Sequence, residues 1–253
     1  MITFLTSSPT GALDGSRRVE GLDEKNSFLE NLRKYWKEDS RCLMISAFPA
    51  EYDVNDEMTA FFSKAVKKAG LTLSAFDLWD GRTKDVSGEV LHSYDVIFLG
   101  GGHVPTQHRF FEQISLKEKL QEFHGIVIGI SAGTMNSAEL VYAQPELEGE
   151  SVDPSYIRFL PGLGLTKTMI LPHYQMVKDQ ELDGKRLYED ITYKDSYGRK
   201  FLALPDGSYL LIKDGKETVW GEAYEIADGV LRRICEDGCK KCRSHPAEHH
   251  GCY

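Results

Sequence analysis

The 253-residue chain has little cysteine where a cross-linked scaffold would need it. Of five cysteines, Cys42 stands alone and the other four fall within the last nineteen residues. A disulfide framework for the main fold is thereby excluded. The chain also lacks any apolar run near the ~18 residues of a membrane span, and Met1-Ile2-Thr3-Phe4-Leu5 has neither the basic region nor the length of a secretory leader. A cytoplasmic location is expected. Positive charge is short as well: 30 Lys and Arg against 39 Asp and Glu leave a net charge of −9, with no broad basic footprint for a phosphate backbone. Nucleic acid and anionic membrane are not expected partners. What remains, 41% hydrophobic and 27% charged residues, excludes collagen, coiled coil and wholesale disorder.

Short β-type runs alternate with amphipathic stretches. Ile2–Thr6 precedes a helical segment at 26–37, and 42–48 precedes 56–69, where Met58, Phe61, Phe62, Ala65, Val66 and Ala69 recur at the spacing of one helical face. Further strands are expected at 72–78, 95–99 and 125–130, with helices at 106–124 and 132–143. This rhythm predicts an α/β three-layer sandwich with a mostly parallel central sheet. After residue 196 the runs shorten and are separated by Pro-Asp-Gly, Asp-Gly-Lys and Asp-Gly, the turn signals of small antiparallel hairpins that finish the sheet's edge. One domain over residues 1–234 and a Cys/His-rich tail over 235–253 are expected.

Gly129-Ile130-Ser131-Ala132-Gly133 follows the apolar run Ile126-Val127-Ile128 and precedes a helical segment. A sharp strand-to-helix turn of this kind strains the central residue and lifts its hydroxyl clear of the sheet, which makes Ser131 a candidate nucleophile; an ordinary N-cap serine is the bland alternative. Gly100-Gly101-Gly102-His103 ends the run Val96-Ile97-Phe98-Leu99, and its bare amides, with that of Ala132, suit an oxyanion. A phosphate cradle competes, but neither GxxxxGK[ST] nor GxGxxG is present.

A serine nucleophile needs a base, and the base an orienting acid. His173 follows Met169-Ile170-Leu171-Pro172, a strand expected to end on the same edge of the same sheet as Ser131; His103 is the rival base. Between Ser131 and His173 the carboxylates are Glu139, Glu146, Glu148, Glu150 and Asp153. An esterase of the α/β-hydrolase type shares the GxSxG turn, but its histidine usually lies far downstream, whereas here 42 positions separate serine and histidine. A non-catalytic binding or sensing protein on the same scaffold is the other alternative.

These segments, together with Gly162-Leu163-Gly164-Leu165 before His173 and Leu204-Pro205-Asp206-Gly207 after it, resemble the dipeptidase E (aspartyl dipeptidase) and cyanophycinase family of serine peptidases, whose fold is akin to the class I glutamine amidotransferases. The resemblance covers residues 1–234. It implies Ser131 as nucleophile, His173 as general base, the amides of Gly102 and Ala132 as oxyanion hole, short peptides as substrates and no cofactor for catalysis. The family's acid is an Asp fifteen residues after the serine, where this chain has Glu146, and its glycine turn commonly ends in Asn, where this chain has His103. The family's preference for Asp at P1 implies a cationic contact, expected at Arg186, with Arg109, Arg158 and His103 behind it. The protein is expected to be a monomer or homodimer.

Outside the resemblance lies Cys235-x3-Cys239-x2-Cys242, with His245, His249, His250 and Cys252 beyond. Thiolates and imidazoles this close suit tetrahedral zinc; a tail of exposed reduced thiols is the alternative. The Cys spacing also matches the cluster loop of radical enzymes that use S-adenosylmethionine, but there it follows the first strand of a barrel.

Overall fold

The computed structural model describes residues 1–10 and 21–243. Its first half contains β1 (Ile2–Thr6), α1 (Phe28–Arg33), β2 (Ser40–Ile45), α2 (Tyr52–Lys68), β3 (Leu73–Trp79), α3 (Gly88–Leu91), β4 (Val96–Leu99), α4 (Val104–Gln113), α5 (Leu116–Gln121), β5 (Ile126–Ile130) and α6 (Ala132–Asn136). The second half contains β6 (Leu140–Tyr142), β7 (Phe159–Pro161), β8 (Met169–Leu171), α7 (Tyr174–Val177), β9 (Glu181–Leu182), β10 (Lys185–Arg186) and α8 (Tyr193–Asp195). It ends with β11 (Lys200–Ala203), β12 (Tyr209–Lys213), β13 (Lys216–Trp220), β14 (Ala223–Ala227), β15 (Val230–Cys235) and β16 (Lys240–Arg243).

Strand residues alternate between the two faces of the sheet, so a strand covered on both sides reads as an unbroken apolar run. Cys42, Met44, Val96, Phe98, Ile126 and Ile128 pack on one side with Phe28 and Leu32 of α1 and Phe62 and Val66 of α2. Leu43, Ile45, Ile97, Leu99 and Val127 pack on the other with Phe110 and Phe111 of α4 and Leu116 and Leu120 of α5. The eight strands lie in the order β16-β13-β12-β1-β5-β4-β2-β3, with β1 to β5 mutually parallel and β12, β13 and β16 added antiparallel beyond β1. The sheet is thus mostly parallel and covered by helices on both faces. No helix among the described residues is long and apolar enough to cross a membrane.

The expected helix at 106–124 is two, because Ser115 turns through φ 49° between α4 and α5. The helix expected at 132–143 ends at Asn136, beyond which Ala138 bridges to Thr166 and the chain enters β6. The late hairpins divide their work. β12 and β13 extend the central sheet, whereas β11, β14 and β15 join β8 in a second sheet, ordered β15-β14-β11-β8. The strand before His173 therefore does not belong to the central sheet as expected; it runs parallel to β11. The cause is burial on both faces: Leu202 and Ile170 pack against Leu5, Leu210 and Val219 of the central sheet, while Phe201 and Ala203 pack outward against Tyr142, Tyr174 and Ile226. The boundary expected at 234 falls inside β15, since Cys235 is buried between the sheets and β16 pairs with β13.

Candidate active site

β1, β5 and β4 are neighbours and parallel, so their carboxyl ends meet at one edge of the sheet, where an open α/β fold places ligands. That edge carries Ser7 after β1, Ser131 after β5 and Gly100 to Gly102 after β4. Ser131 adopts φ 48° and ψ −108°, a conformation that costs free energy and persists only where surrounding bonds impose it. Thr6 supplies those bonds. Its carbonyl accepts from the Ser131 amide at 3.1 Å and the Thr134 hydroxyl at 2.7 Å, and its own hydroxyl donates to the Gly129 carbonyl at 2.8 Å.

The glycine turn is tied to this elbow. The Gly100 carbonyl accepts from the Gly133 amide at 3.1 Å and from Gln107 Nε2 at 2.7 Å. Only glycine fits at two of these positions. A Cβ on Gly133 would fall on the Leu99 carbonyl oxygen and 2.6 Å from its carbon, and one on Gly102 (φ 154°) would lie 2.7 Å from Phe48 Cζ and 2.8 Å from Ala47 Cβ. Ala132 is the first residue of α6, so its amide has no acceptor within the helix.

His173 reaches the same edge from the second sheet. It follows β8 in the left-handed conformation (φ 56°, ψ 31°), and its amide donates to Ser7 Oγ at 3.2 Å. Ser7 Oγ in turn donates to the Leu204 carbonyl at 2.8 Å, so one hydroxyl stitches the end of β1 to the segments after β8 and β11. The imidazole Nδ1 lies 2.6 Å from Asp206 Oδ1. Asp206 has no exposed side-chain surface, and its Oδ2 has no hydrogen-bond partner among the described residues. With a carboxylate accepting at Nδ1, the proton sits there and Nε2 is left as the basic nitrogen.

Ser131, His173 and Gly102 line two adjoining cavities of about 290 and 500 Å³. The smaller is also walled by Gln144, Glu146 and Glu181, the larger by Met58, Phe61 and Ile130. Ser131 and His173 are not hydrogen-bonded to each other; contacts between a nucleophile and its base commonly tighten only when substrate binds.

Glu146 shares the smaller cavity with His173, but the carboxylate on the imidazole is Asp206. Crowding by the cavity walls raises the Glu146 pKa, with Glu150 adding to the rise and His103 and His173 opposing it. His103, expected to touch substrate, has both ring nitrogens engaged: Nδ1 with Thr106 Oγ1 and Nε2 with Glu150 Oε1, each at 2.8 Å. Glu150 Oε2 accepts the amides of Glu146 and Leu147 at 2.8 and 3.0 Å. The pair thus fastens the loop that carries Glu146. Arg186 lies outside both cavities, exposed and paired with Asp190 at 3.2 Å. Arg158 pairs with Asp195 at 2.6 Å and Arg109 donates to Thr106 at 3.2 Å.

Asp206 was missed because Leu204-Pro205-Asp206-Gly207 reads as a surface turn. The available signal was position: the turn follows a strand that is buried in two core layers, at the end where ligands gather. Of the cysteine cluster, Cys235 is buried, Cys239 and Cys242 are exposed free thiols, and among the described residues no three His, Cys, Asp or Glu converge on a metal position. His245, His249, His250 and Cys252 lie outside the described residues.

No curated protein matches this chain. A crystal structure from Listeria monocytogenes EGD-e, provisionally described as a peptidase E protein, aligns with 92% of this chain and 98% of its own at a TM-score of 0.52 and 16% identity, a likeness of fold. The model of peptidase family S51 matches residues 16–220, more than half of the sequence. On that match the chain belongs to peptidase family S51 and is a serine-type hydrolase.

Proposed function

We propose that the protein hydrolyses short peptides with Ser131 as nucleophile, His173 as general base and Asp206, in place of the expected Glu146, as the acid that orients the imidazole. The observation that carries this reading is the 2.6 Å contact between His173 Nδ1 and a fully buried carboxylate, in a cavity that also contains a backbone-strained serine. Ser131 Oγ attacks the scissile carbonyl carbon as His173 Nε2 takes its proton. The amides of Gly102 and Ala132 receive the developing oxyanion. The C–N bond then breaks, His173 returns the proton to the departing amine, and water repeats the sequence on the acyl-serine. Asp206 holds the tautomer and stabilises the imidazolium formed in between.

The order along the chain is serine, histidine, acid. Asp-X dipeptides, which the family resemblance implies, would need a cation at the cleft, and none of the three candidate arginines lines it. Short peptides are therefore the supported class. The test is turnover of a dipeptide panel: activity present in the wild type and lost in both Ser131→Ala and His173→Ala is expected. Full activity in either variant contradicts the assignment.

A further inference from the structure

Charge in the cleft points to which peptides it takes, if the reading of Ser131 as a peptide-cleaving nucleophile holds. The described walls of the two cavities carry Glu57, Glu146 and Glu181, and no Lys or Arg. Glu146 and Glu181 stand in the smaller cavity with Ser131, on two segments braced independently of substrate. Glu146 belongs to the loop clamped by Glu150 and His103. Glu181 opens the β9–β10 hairpin, whose Asp183 accepts the amides of Gly149 and Ser151 at 2.8 and 3.1 Å. Solvent reaches Glu146, yet the walls crowd it, and a positive charge beside it would relieve that desolvation.

We propose that the smaller cavity seats a cationic nitrogen of the peptide, that Glu146 is the specificity-determining carboxylate, and that acidic side chains are excluded from it. An anionic side chain there would meet two carboxylates of like charge, whereas a protonated amine meets its complement. A Lys side chain and a free amino terminus supply the same chemistry.

The experiment measures protection of Ser131 from a fluorophosphonate by dipeptides, with kcat/KM alongside. The peptides are Xaa-Leu and Leu-Xaa, with Xaa as Lys, norleucine or Asp, each with a free and an acetylated amino terminus. In one series Lys is expected to protect about tenfold better than norleucine, and Asp worse than either. Glu146→Gln brings the Lys and norleucine values together. If Lys and norleucine protect equally but acetylation abolishes protection, and Glu146→Gln removes that difference, the seated cation is the terminal amine. A preference for Asp, indifference to charge at both positions, or no protection by any peptide while Ser131 labels normally overturns the inference and leaves the nucleophile assignment standing. Failure of wild-type Ser131 to label strikes the assignment itself, and the inference with it.

Discussion

A single methyl group marks how tightly the elbow is built. Added at Gly133, it would strike the Leu99 carbonyl, and a backbone group in the middle of a parallel sheet has nowhere to retreat. Gly133→Ala is expected to destabilise the fold by about 3 kcal/mol, the upper range for overpacking against rigid atoms, and to slow Ser131 labelling as α6 shifts. Equal denaturant midpoints and labelling rates for variant and wild type would contradict this. At the same scale, Ser131 was legible because glycines two residues before and after a serine, placed between an apolar run and a helix, leave few backbone solutions. His173 was placed at this edge from the strand before it, although that strand belongs to the second sheet and not to the central one. Asp206 was not, because Pro205 and Gly207 make it read as a turn residue and nothing local records that the turn is buried by the meeting of two sheets. His103 and Arg186 are polar groups near the cleft in sequence, but their partners, Glu150 and Asp190, are a matter of tertiary placement.

Among the elements, the loop at 144–150 depends on one carboxylate. Burial opposes the charge on Glu150, but the amides of Leu147 and Glu146 and the His103 ring outweigh it and hold the group below its ordinary range. A folded-state value depressed below that of the unfolded chain, about 4.3, means that the contribution is complete above the unfolded value and fades as pH falls through the folded one. Hydrogen exchange corrected for intrinsic rate is expected to show protected Glu146 and Leu147 amides at neutral pH, with that protection kept down to the ordinary carboxylate value of about 4.3 and lost only at more acid pH. In Glu150→Ala the protection should be absent throughout. Protection that ignores both acid and the substitution would show that the loop is held some other way. The strands β1, β2, β4 and β5 were legible as elements because burial on both faces makes them continuous apolar runs. The second sheet was not, since β8 and β11 look like any other short strands and their pairing is settled by which core, Leu5 with Ile170 and Leu202, they complete.

The whole molecule joins two sheets through a shared apolar layer, and its last described strand helps close that joint. Glu217 is buried and accepts hydrogen bonds from Thr166 and Thr168, with Arg243 of β16 at 4.0 Å, while Lys240 lies 4.9 Å over the Trp220 ring. Truncation after residue 234 removes β16 and the buried Cys235, exposes the edge of β13 and takes the Arg243 ion pair from Glu217. A fall in Tm of about 4 °C or more is expected from thermal unfolding, and an unchanged Tm would show that these residues add nothing to the fold.

The proposed chemistry of Ser131 turns on which carboxylate serves His173. Single-turnover acylation of Ser131 by a peptide-like ester, timed by mass spectrometry in wild type, Asp206→Asn and Glu146→Gln, reads this directly. Loss of the Nδ1 acceptor leaves the wrong tautomer, so Asp206→Asn should acylate about 10³-fold to 10⁴-fold more slowly than wild type, and far more slowly than Glu146→Gln. A Glu146→Gln enzyme as slow as that, beside an Asp206→Asn enzyme close to wild type, would contradict the account.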